Sequence, residues 1–259
     1  MGELKHPGVD FYERYWATSD EAQAWGPMSR HRRRLVIQEL SRLRFESLLD
    51  VSCGQGFLLS DIARAFPGVR LAGTELVESG LEHARRRVPA RFHPLDITRE
   101  RLDEHFDCVT LTEVLEHVED EAAALRNLAA MCSGHLVITV PGGKLSAADV
   151  AAGDLRTYDR PRLEALLANA GFGLIRFRRF GFPMYDPFYR ILLDRVVESG
   201  GSVGPSAAQG ELGPWKRAAL SLIYGAIFLS VPNHGRQIVA VARRLDPAPA
   251  GGTGGGGSR

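Results

Sequence analysis

The hydrophobic pattern changes period repeatedly between residues 47 and 140. Short apolar runs at Ser47–Val51, 69–74, Phe106–Thr112 and 135–140 read as buried strands. A weaker run, 91–95, is broken by Pro94. Between the runs, apolar residues fall at helical spacing over 58–66, 79–88 and 119–131. Such repeated strand–helix units predict a parallel sheet covered by helices on both faces.

Flanking segments extend this core. A partly amphipathic helix over 31–43 leads into the first strand, with Leu35, Val36, Ile37, Leu40 and Leu43 apolar. Before it lies an aromatic-rich stretch, Phe11, Tyr12, Tyr15 and Trp16. Frayed termini are usually polar, so this stretch is expected to pack on the core or close over a site. Downstream come a helix over 160–170 stopped by Gly171, a strand over 174–180 and a final strand over 235–244. Some fifty residues separate those two strands, holding apolar helices at 187–198 and 215–231. A connection of that length usually serves as a lid or binding element. The expected organisation is therefore a cap (1–30), a core (31–184), a helical insertion (185–234), a last core strand (235–245) and a disordered tail (246–259).

Composition refines this picture without changing it. The 259 residues are 44% hydrophobic and 24% charged, which suits one large globular domain. Eleven of the 28 glycines fall in 200–213 and the tail, so predicted flexibility concentrates there. A net charge of +1 provides no global field for nucleic acid. The runs Arg32, Arg33, Arg34 and Arg85, Arg86, Arg87 read as solvated helix faces. Cys108 and Cys132 read as small core residues, and with Cys53 the odd count argues against a disulfide framework or cysteine zinc site. The amino-terminal residues lack an apolar signal region, and the longest apolar stretch, 218–231, is short for a membrane span. A cytoplasmic enzyme is the expectation.

The chemistry concentrates at strand ends. Leu48-Leu49-Asp50-Val51-Ser52-Cys53-Gly54-Gln55-Gly56 couples a buried strand to a glycine turn and a helix. A dinucleotide loop would want a third glycine where Leu59 stands, and a phosphate loop a Gly-Lys-Ser/Thr end. The second strand is followed by Glu75, the third by Asp96, and the fourth runs into Glu113-Val114-Leu115-Glu116-His117. A lone acid at such a place usually caps a turn or helix. Three in register favour ligand binding.

This array resembles the class I S-adenosylmethionine-dependent methyltransferases, particularly the small-molecule branch with a Leu-Asp-Val-Gly-Cys-Gly-x-Gly first motif. The resemblance covers roughly residues 35–180 and the last strand. It implies a Rossmann-like, doubly wound α/β fold: a mostly parallel seven-stranded sheet with a helical insertion before the last strand. It also implies S-adenosyl-L-methionine as cofactor and S-adenosyl-L-homocysteine as product. By position, Asp50 and the Gly54–Gly56 turn would hold the methionine end, Glu75 the ribose hydroxyls, and Asp96 with the Ile97 amide the adenine. Ser52, Leu76 and Thr112 complete the implied cofactor set. Ser52 departs from the family's glycine, and extended geometry is expected there.

Methyl transfer is an in-line displacement, and an oxygen acceptor gains from a base. His117, just past strand four, is the expected catalytic residue, with helix entry beside Glu119 the structural alternative. Glu113, Glu116 and His117 also resemble the metal-binding part of small-RNA 2′-O-methyltransferases. The second histidine of that pattern is missing, since none lies between His135 and His234, so no metal is expected. Glu113, Arg156 and Tyr158 are the expected acceptor-side residues, although Arg156 could equally pair with Asp154 or Asp159. Apolar stripes in the insertion (Phe188, Tyr189, Leu192, Leu193, Val196; Leu220, Ile223, Tyr224, Ile227, Phe228) could wall a pocket or form a homodimer face, and Lys216 and Arg217 permit membrane-surface contact. The expected function is O-methylation of a medium-sized, partly apolar small molecule, natural-product or lipid-like. The rivals are an RNA 2′-O-methyltransferase, a non-catalytic cofactor-binding scaffold and, least favoured, a nicotinamide dehydrogenase.

Overall fold

A computed structural model of the chain describes residues 8–200, 213–227 and 231–245. The tail expected at 246–259, most of the glycine-rich segment within 200–213, and Phe228 lie outside the described residues.

Seven strands form one sheet. The central β1 (Ser47–Val51) pairs in parallel with β2 (Arg70–Glu75) and β4 (Phe106–Thr112). Outside these, β3 (Arg91–Pro94) adds in parallel to β2, and β5 (Cys132–Pro141) to β4. The last strand, β7 (Gln237–Arg244), inserts between β5 and β6 (Phe172–Phe180), antiparallel to both. The order β3-β2-β1-β4-β5-β7-β6 makes the sheet mixed: four pairings are parallel and the two made by β7 are antiparallel, so the sheet is mostly and not purely parallel. The reason lies in the connection. A strand that returns along its neighbour needs no crossover helix over the sheet face, so the insertion between β6 and β7 is free to project elsewhere.

Strand order reverses at β1 and β4, opening a crevice beyond their carboxyl ends. Every residue of β1 is buried, and its alternating side chains feed two cores. Leu49 and Val51 join Leu125 and Leu128 of α6 (Glu121–Met131) and Leu163 of α8 (Arg160–Asn169). Leu48 joins Leu35, Val36 and Leu40 of α3 (Pro27–Leu40) and Leu59 and Ile62 of α4 (Phe57–Ala65). Cys108 and Cys132 are buried free thiols, in keeping with core packing. A buried carboxylate ties α3 to the antiparallel edge: Glu39, 1% exposed, accepts from Arg176 at 2.7 Å and Arg178 at 3.0 Å.

The amino-terminal helices α1 (Val9–Thr18) and α2 (Asp20–Trp25) lie over the crevice mouth beside α5 (Glu78–Arg87). The insertion contributes π-type turns at Met184–Tyr189, α9 (Arg190–Glu198) and α10 (Pro214–Ile227). It docks on both ends of the site. Arg217 of α10 forks onto Glu21 at 2.7 and 3.1 Å, and Arg30 of α3 stacks on Tyr224. Asp194 of α9 accepts the Ala148 amide at 2.9 Å, at the start of α7 (Ala147–Ala152). The outer face of α10 leaves Trp215 71% and Leu222 77% exposed. Among the described residues no helix is long and apolar enough to cross a membrane.

Candidate active site

The turn leaving β1 places three residues in left-handed backbone: Ser52 (φ 55°), Gly54 (φ 52°) and Gly56 (φ 77°). Extended geometry, expected for Ser52, is therefore corrected. The chain must reverse tightly between a buried strand and a helix, and only glycine adopts that conformation without a side-chain penalty. At Gly56 a Cβ would stand 3.0 Å from the Ala84 Cα, so α5 packs directly on the turn.

Asp50 and Glu75, two of the acids expected at the strand ends, meet at this turn, and Asp96 lines the same cavity. Asp50 is 1% exposed and accepts the Thr110 hydroxyl at 2.6 Å. Burial pushes its carboxyl up to about 7, with neighbouring Glu75 adding to the rise. Glu75 accepts the amides of Gly54 and Leu76, each at 2.8 Å. Burial raises its pKa, and those backbone bonds pull the other way. Asp96 accepts the Thr98 amide at 2.9 Å and its hydroxyl at 2.6 Å, which braces the turn after β3. Capping and binding are compatible here, because each carboxylate oxygen has two lone pairs.

One cavity of about 1170 Å³ gathers the whole expected cofactor set except Gly56: Asp50, Ser52, Gly54, Glu75, Leu76, Asp96, Ile97 and Thr112. Gly56 shapes the turn from behind. Helix α1 lines the same cavity with Phe11, Tyr12, Tyr15 and Trp16. Its Trp16 ring packs so tightly on the turn that a Cβ on Gly54 would fall 2.7 Å from it. Gln55 donates to the Trp16 carbonyl at 2.7 Å, and Ser79 to the Glu13 carbonyl at 3.2 Å. The two arginine runs are not simply solvated faces. Arg32 reaches Glu113 at 2.8 Å, Arg33 reaches Asp61 at 2.8 Å, and Arg87 stacks on Phe57.

The far end of the cavity follows β4. Glu113 itself sits at φ 54°, held by Arg32 and by the Thr139 hydroxyl at 2.9 Å. Strain of this kind in a non-glycine residue persists where surrounding contacts enforce it. His117 lines the cavity, with Nδ1 3.1 Å from the Gly153 carbonyl and its ring 6.5 Å from that of Tyr12. A carbonyl only accepts, so this bond puts a proton on Nδ1. Glu116 is 1% exposed, and Asp154 lies beside His117 at 3.4 Å. Burial, reinforced by Glu113, raises both acids, Glu116 well above its ordinary range and Asp154 to about 8.

Two expected acceptor-side residues sit elsewhere. Arg156 donates to the carbonyls of Leu115, Val118 and Glu119, clamping the segment after β4. Tyr158 is buried and donates to Glu121 at 2.7 Å. Neither lines the cavity. Their polarity is spent inside the fold, on backbone and on α6. Sequence reasoning missed Arg32 and Asp154, which reach the site only through tertiary packing, and it named no single residue of α1 as a wall.

A profile described as a methyltransferase domain matches residues 28–176, more than half of the chain. The chain belongs to the class I S-adenosylmethionine-dependent methyltransferases. A ubiquinone biosynthesis O-methyltransferase of Alkalilimnicola ehrlichii is 30% identical over 141 residues, 49% of this chain. The chain spans about half (54%) of that relative's length. Among solved structures, the Bradyrhizobium japonicum N-methyltransferase NodS with S-adenosyl-L-homocysteine superposes with TM-score 0.57 at 16% identity, covering 92% of this chain and 98% of its own. The Synechocystis magnesium protoporphyrin IX methyltransferase, also with S-adenosyl-L-homocysteine, gives 0.56 at 14%, covering 92% and 94%. At these identities the structures support the fold alone. S-adenosylmethionine is the family's cofactor. The residues present fit it: the glycine turn lets backbone approach a ligand, and the buried acids Asp50 and Glu75 suit a cationic sulfonium better than a pyrophosphate.

Proposed function

We propose that this methyltransferase O-methylates a medium-sized, partly apolar small molecule. The observation that carries the reading is the shared cavity. Leu193 and Val196 of α9 and Leu220 and Ile223 of α10 line the same space as Asp50 and Glu75. Apolar walls with a few convergent polar groups are the usual make-up of a small-molecule site. The O-methyltransferase named above supports oxygen as the acceptor atom. Arg32 and Arg236, the cations beside the far end, are already paired with Glu113 and Asp149, which weighs against a phosphate-bearing acceptor such as RNA.

The bound cofactor supplies an electrophilic methyl group. Asp50, Ser52 and the Gly54–Gly56 turn would hold its methionine end, Glu75 and Leu76 its ribose, and Asp96 and Ile97 its adenine, with Thr112 completing the cofactor side of the cavity. Glu113 orients the acceptor, and Nε2 of His117 takes the hydroxyl proton. Helix α1 and the insertion exclude water from the reacting atoms.

The test is a panel of hydroxylated acceptors, aromatic, polyketide-like and prenylated, assayed for S-adenosyl-L-homocysteine release with the full chain. Turnover of an apolar phenol or enol with methyl found on oxygen is the expected result. Methylation only of amines or of RNA ends overturns it.

A further inference from the structure

Glu113, Glu116, Asp149 and Asp154 line the far end of the cavity, and two of them have a cationic partner. Of its acids, Glu113 is paired by Arg32 at 2.8 Å, and Asp149 by Arg236 at 2.5 and 2.7 Å. Among the described residues, no lysine or arginine lies within ion-pair distance of Glu116 or Asp154. The neighbour of Asp154 is His117, 3.4 Å away. Glu116 lines the cavity while 1% exposed, and its Oε2 has no hydrogen-bond partner. A buried, unpartnered carboxylate oxygen is costly unless it is protonated or meets a cation.

The geometry around that oxygen is compact. Glu116, His117 and Asp154 each offer a ligand atom, and these atoms all lie within 4.8 Å of one another. Three donors each about 2.0–2.2 Å from one ion stand about 3.0–3.6 Å from one another, so the widest pairs would close by about 1 Å on binding, a movement within reach of side-chain rotation. Their supports are in place. The Leu155 amide donates to the Glu116 carbonyl at 2.8 Å, joining the two ligand-bearing segments. Arg156 pins the carbonyls flanking Glu116 and His117, which gives it a positioning role. The bond from His117 Nδ1 to the Gly153 carbonyl holds the ring in place, the kind of contact that orients a ligating imidazole.

We propose that Glu116, His117 and Asp154 bind one divalent cation of the Mn²⁺ or Zn²⁺ kind at the far end of the cavity. Imidazole with carboxylates suits those ions, and three protein ligands leave coordination positions open toward the acceptor. The absence of a second histidine, which led to the expectation of no metal, loses its force because the fold brings Asp154 to the site. With the ion bound, His117 serves as ligand, and the proton-accepting role assigned above belongs to the metal-free enzyme. Cation binding stands on these residues alone and does not rest on the acceptor assignment.

The test uses the tag-free full chain, stripped with EDTA and desalted, without cofactor or acceptor. Mn²⁺ is titrated by electron paramagnetic resonance and Zn²⁺ by calorimetry. One equivalent of either ion should bind, with affinity falling at least about tenfold in Glu116→Gln and in Asp154→Asn. Glu116→Gln is isosteric with the protonated acid, so it should fold, as circular dichroism would verify. A surface control, Glu164→Gln, should bind as the parent does. No saturable binding of either ion up to about 1 mM, or affinity undiminished in both variants, overturns the proposal. Binding of S-adenosyl-L-homocysteine to the same samples reports on the cofactor site separately, so failure of one reading is not mistaken for failure of the other.

Discussion

Asp50 gives the sharpest quantitative prediction, because burial sets its ionisation and the proposed role requires its charge. In the cofactor-free fold its carboxyl is pushed up to about 7, against about 3.9 in an unfolded chain. The folded state therefore holds a proton that the unfolded state has released between about pH 4 and pH 7. For an acid raised in this way, the associated stability is greatest at low pH. It declines as pH rises through that window and levels off above about 7. The gap between the folded and unfolded values corresponds to about 4 kcal/mol at most, the cost of keeping the charge buried. Asp50→Asn removes that cost and can still accept the Thr110 hydroxyl, but its amide NH₂ needs a partner, costing about 1–3 kcal/mol. The net expectation at pH 8 is a variant more stable by about 1–3 kcal/mol, with no gain near pH 4. Urea denaturation of parent and variant across that range, without cofactor, measures it. Calorimetry with S-adenosyl-L-homocysteine should show weakened binding in the same variant. A variant less stable than the parent at pH 8, or one keeping the parent's decline between pH 4 and 7, would refute the reasoning.

Three further outcomes follow from individual contacts. Ser52→Gly relieves a side chain at φ 55° and should stabilise the fold by about 0.5–1 kcal/mol in denaturant titrations, after the added unfolded-state entropy of glycine. Glu39→Ala leaves Arg176 and Arg178, each 31% exposed, without their buried partner; a loss of about 2–3 kcal/mol is expected, and a change under 1 would show that the pair is solvated. His117→Ala should lower kcat by about 10²–10³ while S-adenosyl-L-homocysteine affinity stays near the parent's, and an equal loss of cofactor binding would instead place His117 in the cofactor site.

The boundary between sequence and fold runs through particular residues. Local signals located β1 and β4 to the residue: Ser47–Val51 and Phe106–Thr112 are short apolar-rich runs without helical spacing. They also located the glycine turn and the acids at the ends of β1 and β2 and just after β3, because chemistry at a strand end follows from where the strand stops. Which strand runs against the others was not legible. Nothing local to the 235–244 run tells whether it lies parallel or antiparallel to its neighbours; the path of the insertion decides that. Ser52 was misjudged because a serine carries no mark of the left-handed backbone that the turn imposes on it. Arg156 and Tyr158 look like acceptor contacts in sequence, and become internal braces once Leu115, Val118 and Glu121 lie beside them.

By itself, then, the sequence determined the βα rhythm, the cofactor motif and the family that the motif signals, since those depend on spacing along the chain. Only the tertiary structure decided what faces what. It set Trp16 on Gly54, Arg32 against Glu113, and Asp154 beside His117, residues 37 or more positions apart in sequence. Contacts between distant segments depend on how helices cross and loops close over the sheet. Their cost and gain are shared across the whole packed core, so no window of residues encodes them.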